Sequence, residues 1–310
     1  MKCRKTIFIF YILSLSIRTT SLEAQELEPR TYTNIPIGLN FLINGYAYSR
    51  GDLSFGPNLP ITNAQLNIST TVIAYARSFS FAGKSAKIDA VIPYTWVNGT
   101  ALYNNEPIGR EVNGLTDSRF RLSVNLIGAP ALTLKEFKNH NHDLVVGISL
   151  QTTVPSGQYD SSKLVNIGTN RWAFKSEIGA SKAIKKWIFE LTASTTFYTP
   201  NNNFYGGKTR EQDILYSIQG HTIYSFRNGI WIAADATYYE GGRTTVNNSL
   251  NNDLQENWRL GTTLSFPLTK LYSVKLYASS GVAARTGNNY DLAGIGIQYR
   301  WGQGLTKPIK

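Results

Sequence analysis

Cysteine and methionine occur once each in 310 residues. A lone cysteine, Cys3, excludes a disulfide scaffold and a cysteine-bound metal cluster. Charge is also sparse. Asp, Glu, Lys and Arg make up 16% of the chain, against the roughly 25% usual in soluble domains. After the N-terminus no apolar run reaches the roughly 18 residues of a transmembrane helix, so a helical membrane bundle is excluded. Helical periodicity is nearly absent. No phosphate-cradling glycine loop occurs, and the formal charge of +11 is spread along the chain rather than gathered on one basic helix. That pattern gives no footprint for nucleic acid and no cofactor site. What is abundant is aromatic: 18 Tyr, 14 Phe and 6 Trp, too apolar a composition for a disordered chain.

The first 24 residues read as an export signal. Lys2, Arg4 and Lys5 form a basic start, Ile7 to Ile17 an apolar run too short to span a bilayer, and Leu22-Glu23-Ala24 a cleavage site ending in a small residue. Cys3 leaves with this segment. Residues 25–36 are then expected as an N-terminal periplasmic segment, 37–301 as the folded body and 302–310 as a C-terminal tail.

The body reads as strands. Period-two alternation recurs, as in Phe120, Leu122, Val124 and Leu126 against Arg119, Arg121, Ser123 and Asn125. About twelve such segments occur, near 37–49, 66–79, 85–97, 117–127, 144–155, 170–181, 187–199, 213–226, 229–240, 257–267, 273–285 and 291–301. Each is about twice the roughly five or six residues of an ordinary strand and long enough to cross a membrane at a tilt. In lipid every backbone group must be paired, so an all-strand span has to close on itself. Aromatics near the segment ends and connections of alternating length complete the expectation: an all-β, transmembrane, antiparallel up-and-down β-barrel of about 12 strands. An even strand count puts both termini in the periplasm and the long loops outside. The loops at 50–65, 98–116, 156–169, 200–212 and 241–256 are long, and a short helix is expected within Ala129–Phe137. The periplasmic turns are basic, with Lys84, Lys182, Lys185, Lys186 and Lys270 among them.

The final strand carries Gly296-x-x-Tyr299-x-Trp301, which resembles the C-terminal pattern read by the barrel-assembly machinery, although nine residues follow it here. A wider resemblance runs through residues 40–302. Val154–Ser181 (VPSGQYDSSKLVNIGTNRWAFKSEIGAS) is its densest part, with Lys163–Ser176 the most specific block. Asn125–Leu132, Arg210-Glu211-Gln212-Asp213, Gly229-Ile230-Trp231, Tyr238–Arg243 and Gln298–Gly302 accompany it. Together they resemble the bacterial outer-membrane family named for a transporter of the phenol meta-cleavage degradation pathway, the MetA-pathway phenol degradation family. The resemblance implies an outer-membrane barrel passing small organic, including aromatic, molecules. It brings no catalytic or binding residues.

Twelve strands lie between the eight that side chains fill and the sixteen that leave a water channel, so a narrow bore is expected. Parity points Arg119, Arg121, Lys175, Glu177, Glu190, His221, Asp235, Arg259, Lys275 and Arg300 into it, which predicts a polar, cation-biased lining rather than an apolar duct. Tyr159, Asp160, Lys163, Asn166 and Arg171 are expected at the outer mouth, with loop 156–169 shaping a constriction. The expected partners are the bilayer, lipopolysaccharide, the assembly machinery and a small solute. Three alternatives stand beside a channel: a structural barrel held shut by Arg–Glu pairs, a surface-binding barrel that uses its outer loops, and an outer-membrane lipase. The lipase needs a His–Ser pair on the outer face, whereas parity turns His221 inward. His140 and His142 in one turn read as solvated rather than as metal ligands, and neither catalytic nor metal residues are expected.

Overall fold

A computed structural model describes residues 28–53, 61–140, 143–286 and 289–305. The export signal, His142 and residues 306–310 of the tail lie outside these described residues. In chain order the elements are β1 (Leu39–Leu53), β2 (Ile61–Phe81), β3 (Lys84–Tyr103), β4 (Glu106–Leu115), β5 (Ser118–Ile127), α1 (Leu134–Phe137), β6 (Leu144–Val154), β7 (Ala173–Ile184) and β8 (Trp187–Tyr198). There follow β9 (Asn201–Phe204), β10 (Lys208–Gln212), β11 (Leu215–Ser225), β12 (Trp231–Gly241), β13 (Thr244–Val246), β14 (Ser249–Leu250), β15 (Gln255–Pro267), β16 (Tyr272–Ala284) and β17 (Tyr290–Gly302). Twelve strand positions form a closed antiparallel barrel, with β4 and β5 sharing one position against β3. The first and last strands close it, from Leu39↔Gly302 to Gly51↔Tyr290. The start of β1 and the end of β17 therefore lie at one end of the barrel, the termini end. The opposite one is the loop end.

The barrel is inside out relative to a soluble protein. Along β8, Trp187, Phe189 and Leu191 are exposed, while Glu190, Thr192 and Ser194 are buried. The same alternation gives exposed Ile73, Ile88, Leu122, Ile178, Ile218 and Leu260 around the circumference. A soluble monomer cannot leave so much contiguous apolar surface in water, but a barrel facing hydrocarbon requires it. Aromatic rings border this belt at both ends. Tyr272, Tyr299 and Trp301 stack in series at the termini end, with centroids 5.0 and 5.3 Å apart. Tyr94–Trp96 at 4.7 Å and Tyr238–Trp258 at 5.0 Å lie toward the loop end. Amphipathic rings favour the two membrane–water boundaries.

The loop end is more ordered than the expected long loops. Segment 98–116 is not a loop: β3 runs on to Tyr103, turns at Asn104–Asn105 and returns as β4. Both asparagines have positive φ, 50° and 66°, the geometry of a tight hairpin, which asparagine tolerates. Asn247–Asn248 does the same between β13 and β14, with φ of 45° and 64°. The connections at 200–212 and 241–256 join through β10–β13 pairing into a four-stranded sheet above the barrel. At the termini end, α1 begins at Leu134 rather than near Pro130. Thr133 caps it in a reciprocal box with Glu136, while Ala129–Ala131 instead bond along the β2–β3 turn.

Residues 28–36 belong to the segment 25–36 expected as N-terminal and periplasmic. They fold into the bore. Tyr32 is fully buried, and its hydroxyl donates to Glu177 Oε1 at 2.9 Å and lies 3.3 Å from Ser149 Oγ. Gly147 and Gly179 lie side by side beneath its ring, and a Cβ on either would collide with it. Asn34 is also buried, and Ser78 and Ser85 accept the chain as it leaves the bore by donating to the carbonyls of Pro36 and Ile35.

Candidate functional site

The bore holds a cavity of about 1290 Å³. Its lining runs from Gly51, Leu66 and Tyr290 at the loop end to Asn228, Gly229 and Leu268–Lys270 in the termini-end turns. Strand alternation aims the side chains, because successive residues point to opposite faces of a strand.

The walls differ. On the β3–β5–β7 side they are charged. Arg121 Nε lies 3.1 Å from Asp89 Oδ2, the same guanidinium pairs with Glu28 of the N-terminal segment, and Lys87 Nζ lies 3.9 Å from Asp89. Lys175 Nζ lies 3.0 Å from Glu177, the carboxylate that also holds Tyr32. On the adjoining wall β17, β1, β2 and the part of β3 nearer the loop end present Gly296, Ile43, Gly45, Val72, Ala74 and Val91 to the same cavity. The expected polar lining is therefore corrected: one wall of the bore is apolar. The signal was in the sequence. Residues 72–76 are apolar on both faces, with Val72, Ala74 and Ala76 inward and Ile73 and Tyr75 outward. Lipid accounts for one apolar face, and only an apolar bore accounts for the other.

The expected pore residues divide into two groups. Arg119, Arg121, Lys175, Glu177, Lys275 and Arg300 border the cavity. Arg300 does so at the termini end, where its Nε donates to the Lys270 carbonyl at 2.9 Å. Glu190, His221, Asp235 and Arg259 face inward but are buried away from the cavity at 6%, 4%, 3% and 0% exposure. The reason is packing across the inner face. Glu190 accepts from the Arg30 backbone amide at 2.6 Å and from Ser181 at 2.9 Å. His221 Nδ1 lies 2.5 Å from Asp235 Oδ1, and Thr263 donates to the other Asp235 oxygen at 3.2 Å. Arg259 bonds Ser279 at 2.8 Å and the Tyr290 carbonyl at 3.1 Å, with its guanidinium 3.9 Å over the Tyr290 ring. These four brace the wall between strands.

Loop 156–169 turns inward over the mouth. Ile167 packs against the inner-wall group Leu66, Ile68 and Val97, and Asn166 and Ile167 border the cavity. The other mouth residues hold this shape. Asn166 Nδ2 donates to the carbonyls of Asp160 (3.0 Å) and Lys163 (2.8 Å), and its Oδ1 accepts the Asp160 amide. Tyr159 donates to the Asn203 carbonyl at 3.1 Å, tying the loop to β9. Hydrogen bonds from Ser162, first from its side chain and then from its amide, hold the Asp160 carboxyl below the ordinary carboxylate range. Arg171 is buried, 4.3 Å over the Tyr198 ring and bonded to Gln212. Nine cationic side chains and four carboxylates line the cavity among the described residues.

Sequence reasoning missed Glu28, Arg30 and Tyr32, because an irregular segment carries no periodicity to reveal where it packs.

Residues 48–301 match the family described as "Putative MetA-pathway of phenol degradation". No curated protein matches the chain. Among solved structures, an outer-membrane channel from Pseudomonas putida F1 superposes with a TM-score of 0.74 at 17% identity, over 89% of this chain and all of that one. The β domain of the Bordetella autotransporter BrkA gives 0.53 at 12% identity, over 85% of this chain and all of that one. At such identities the likeness is one of fold.

Proposed function

The chain belongs to this phenol-degradation family, and from that premise we propose that it is an outer-membrane channel for passive uptake of small organic solutes, aromatic or anionic in character. The observation that carries the reading is the cavity reaching from the loop end to the termini-end turns along the β17–β1–β2 wall. The N-terminal segment occupies the other side of the bore, so it narrows the passage rather than filling it. The cation excess raises the local concentration of anions.

In this reading residues 1–24 export the chain to a Gram-negative outer membrane. Both termini face the periplasm, and the hairpins above the barrel face outside against lipopolysaccharide. Gly296, Tyr299 and Trp301 serve the assembly machinery. The reading is of a channel and not a lipase, because the His221–Asp235 pair is buried on the inner face, away from lipid. The second reading, a barrel without an open pore, draws on the Glu28–Arg121 and Tyr32–Glu177 ties that fix the segment across the bore.

The test is single-channel recording of the refolded mature protein in planar bilayers. Discrete current steps with anion preference are expected. An inserted, heat-modifiable barrel that carries no current refutes the channel and leaves the closed barrel.

A further inference from the structure

The apolar wall contains a place of defined shape. Around the bore, one row of inward residues runs Pro93–Val72–Gly45–Gly296–Lys275 by strand register. Gly45 and Gly296 are cross-strand partners, as Gly147 and Gly179 are on the other side of the barrel. The two pairs differ in what covers them. The Tyr32 ring lies on Gly147 and Gly179 closely enough to exclude any Cβ. On the same strand as Gly296, Gly294 is covered by the Tyr277 ring. Gly45 and Gly296 carry no ring. The nearest side-chain atoms to a Cβ built there belong to Val72 and Ile43, each 3.8 Å away, and both glycines border the cavity.

The Tyr32 seat also shows what sits at a ring's polar end. There the hydroxyl meets the Glu177 carboxylate and Ser149. Beside Gly45–Gly296 the polar neighbour is Lys275, exposed to the cavity and directly across from Gly296. A donor such as phenolic hydroxyl suits the first seat, and an anion suits the second. We propose that Gly45 and Gly296 form a binding seat for the flat ring of an aromatic carboxylate, with Ile43 and Val72 against its edge and Lys275 on its carboxylate. The proposal names a solute class for the channel reading above and rests on that reading for how the solute arrives.

The experiment is equilibrium dialysis of the full refolded barrel in detergent with radiolabelled benzoate, run with acetate and benzyl alcohol as competitors. Saturable binding of one benzoate per barrel is expected, with both competitors weaker by about tenfold or more, since one lacks the ring and the other the charge. Lys275→Gln weakens binding about tenfold or more, as loss of a hydrogen bond to a charged group does, and Gly45→Val abolishes it by filling the seat. Should Gly45→Val fail to fold on a heat-modifiability gel, Lys275→Gln alone decides. The seat is overturned if benzoate does not bind, if acetate or benzyl alcohol competes as well as benzoate, or if Lys275→Gln binds it unchanged. Parallel bilayer recordings separate this result from the channel reading. Current without benzoate binding removes the seat and keeps the channel, and binding without current keeps the seat and removes the channel.

Discussion

At the scale of residues, the bore is organised by what glycine leaves out. Gly147 and Gly179 make a recess for the Tyr32 ring, and the ring anchors the segment that crosses the bore. A side chain at Gly179 has to displace it. Gly179→Val should cost about 1–3 kcal/mol at this seat, as overpacking does, and free residues 28–36 for limited proteolysis in the folded barrel. Equal protease resistance in the variant would refute the anchoring role. Asp160 gives a pH dependence at the mouth. Its carboxyl is held below its usual range by Ser162, so its contribution to loop order is fully present above the ordinary Asp value of about 3.9. The contribution is lost as pH falls through the lower value of the folded state. Amide exchange at Ser162 should stay slow at neutral pH and speed up only below about pH 4, and Asp160→Asn should remove that pH dependence.

At the scale of elements, two irregular segments fold inward against the cavity. Loop 156–169 leans inward through Ile167 and is held by Asn166 and Tyr159. Deleting 158–166 should raise single-channel conductance, and an unchanged conductance would remove the loop from the constriction. The strands were legible in the sequence because two-residue alternation follows from backbone geometry alone. The hairpins β3–β4 and β13–β14 were legible too, through Asn104–Asn105 and Asn247–Asn248, but only if paired asparagines are taken as tight-turn residues rather than as loop filler. The inward fold of residues 28–36 was not legible in that way, whereas loop 156–169 was expected at the outer mouth. The position of residues 28–36 depends on partners 42 to 195 residues away in sequence, such as Ser78 and Ser225.

At the scale of the whole molecule, stability comes from an inverted distribution of polarity. Apolar side chains face outward to lipid, and polar ones such as Glu190, Asp235 and Arg259 pair across the inner face. A charge placed on the outer belt is therefore more costly than one in a loop. Leu191→Lys, at 60% exposure in the middle of β8, should destabilise the barrel in vesicles by about 2–4 kcal/mol. Leu250→Lys, at 61% exposure in the loop-end hairpin, should change stability by less than about 0.5 kcal/mol. Equal effects in reversible urea unfolding would contradict a lipid-facing belt.

The sequence by itself determined the strand number, the inward and outward faces, and the closure of the barrel, because alternation is local and lipid leaves no unpaired edge. Only the tertiary structure decided which inward residues reach the cavity. Glu190, His221, Asp235 and Arg259 share the parity of Lys175 and Lys275, yet neighbours on other strands and the N-terminal segment cover them. Parity fixes the direction of a side chain. What lies in front of it is set by segments distant in sequence, and that is a property of the assembled barrel.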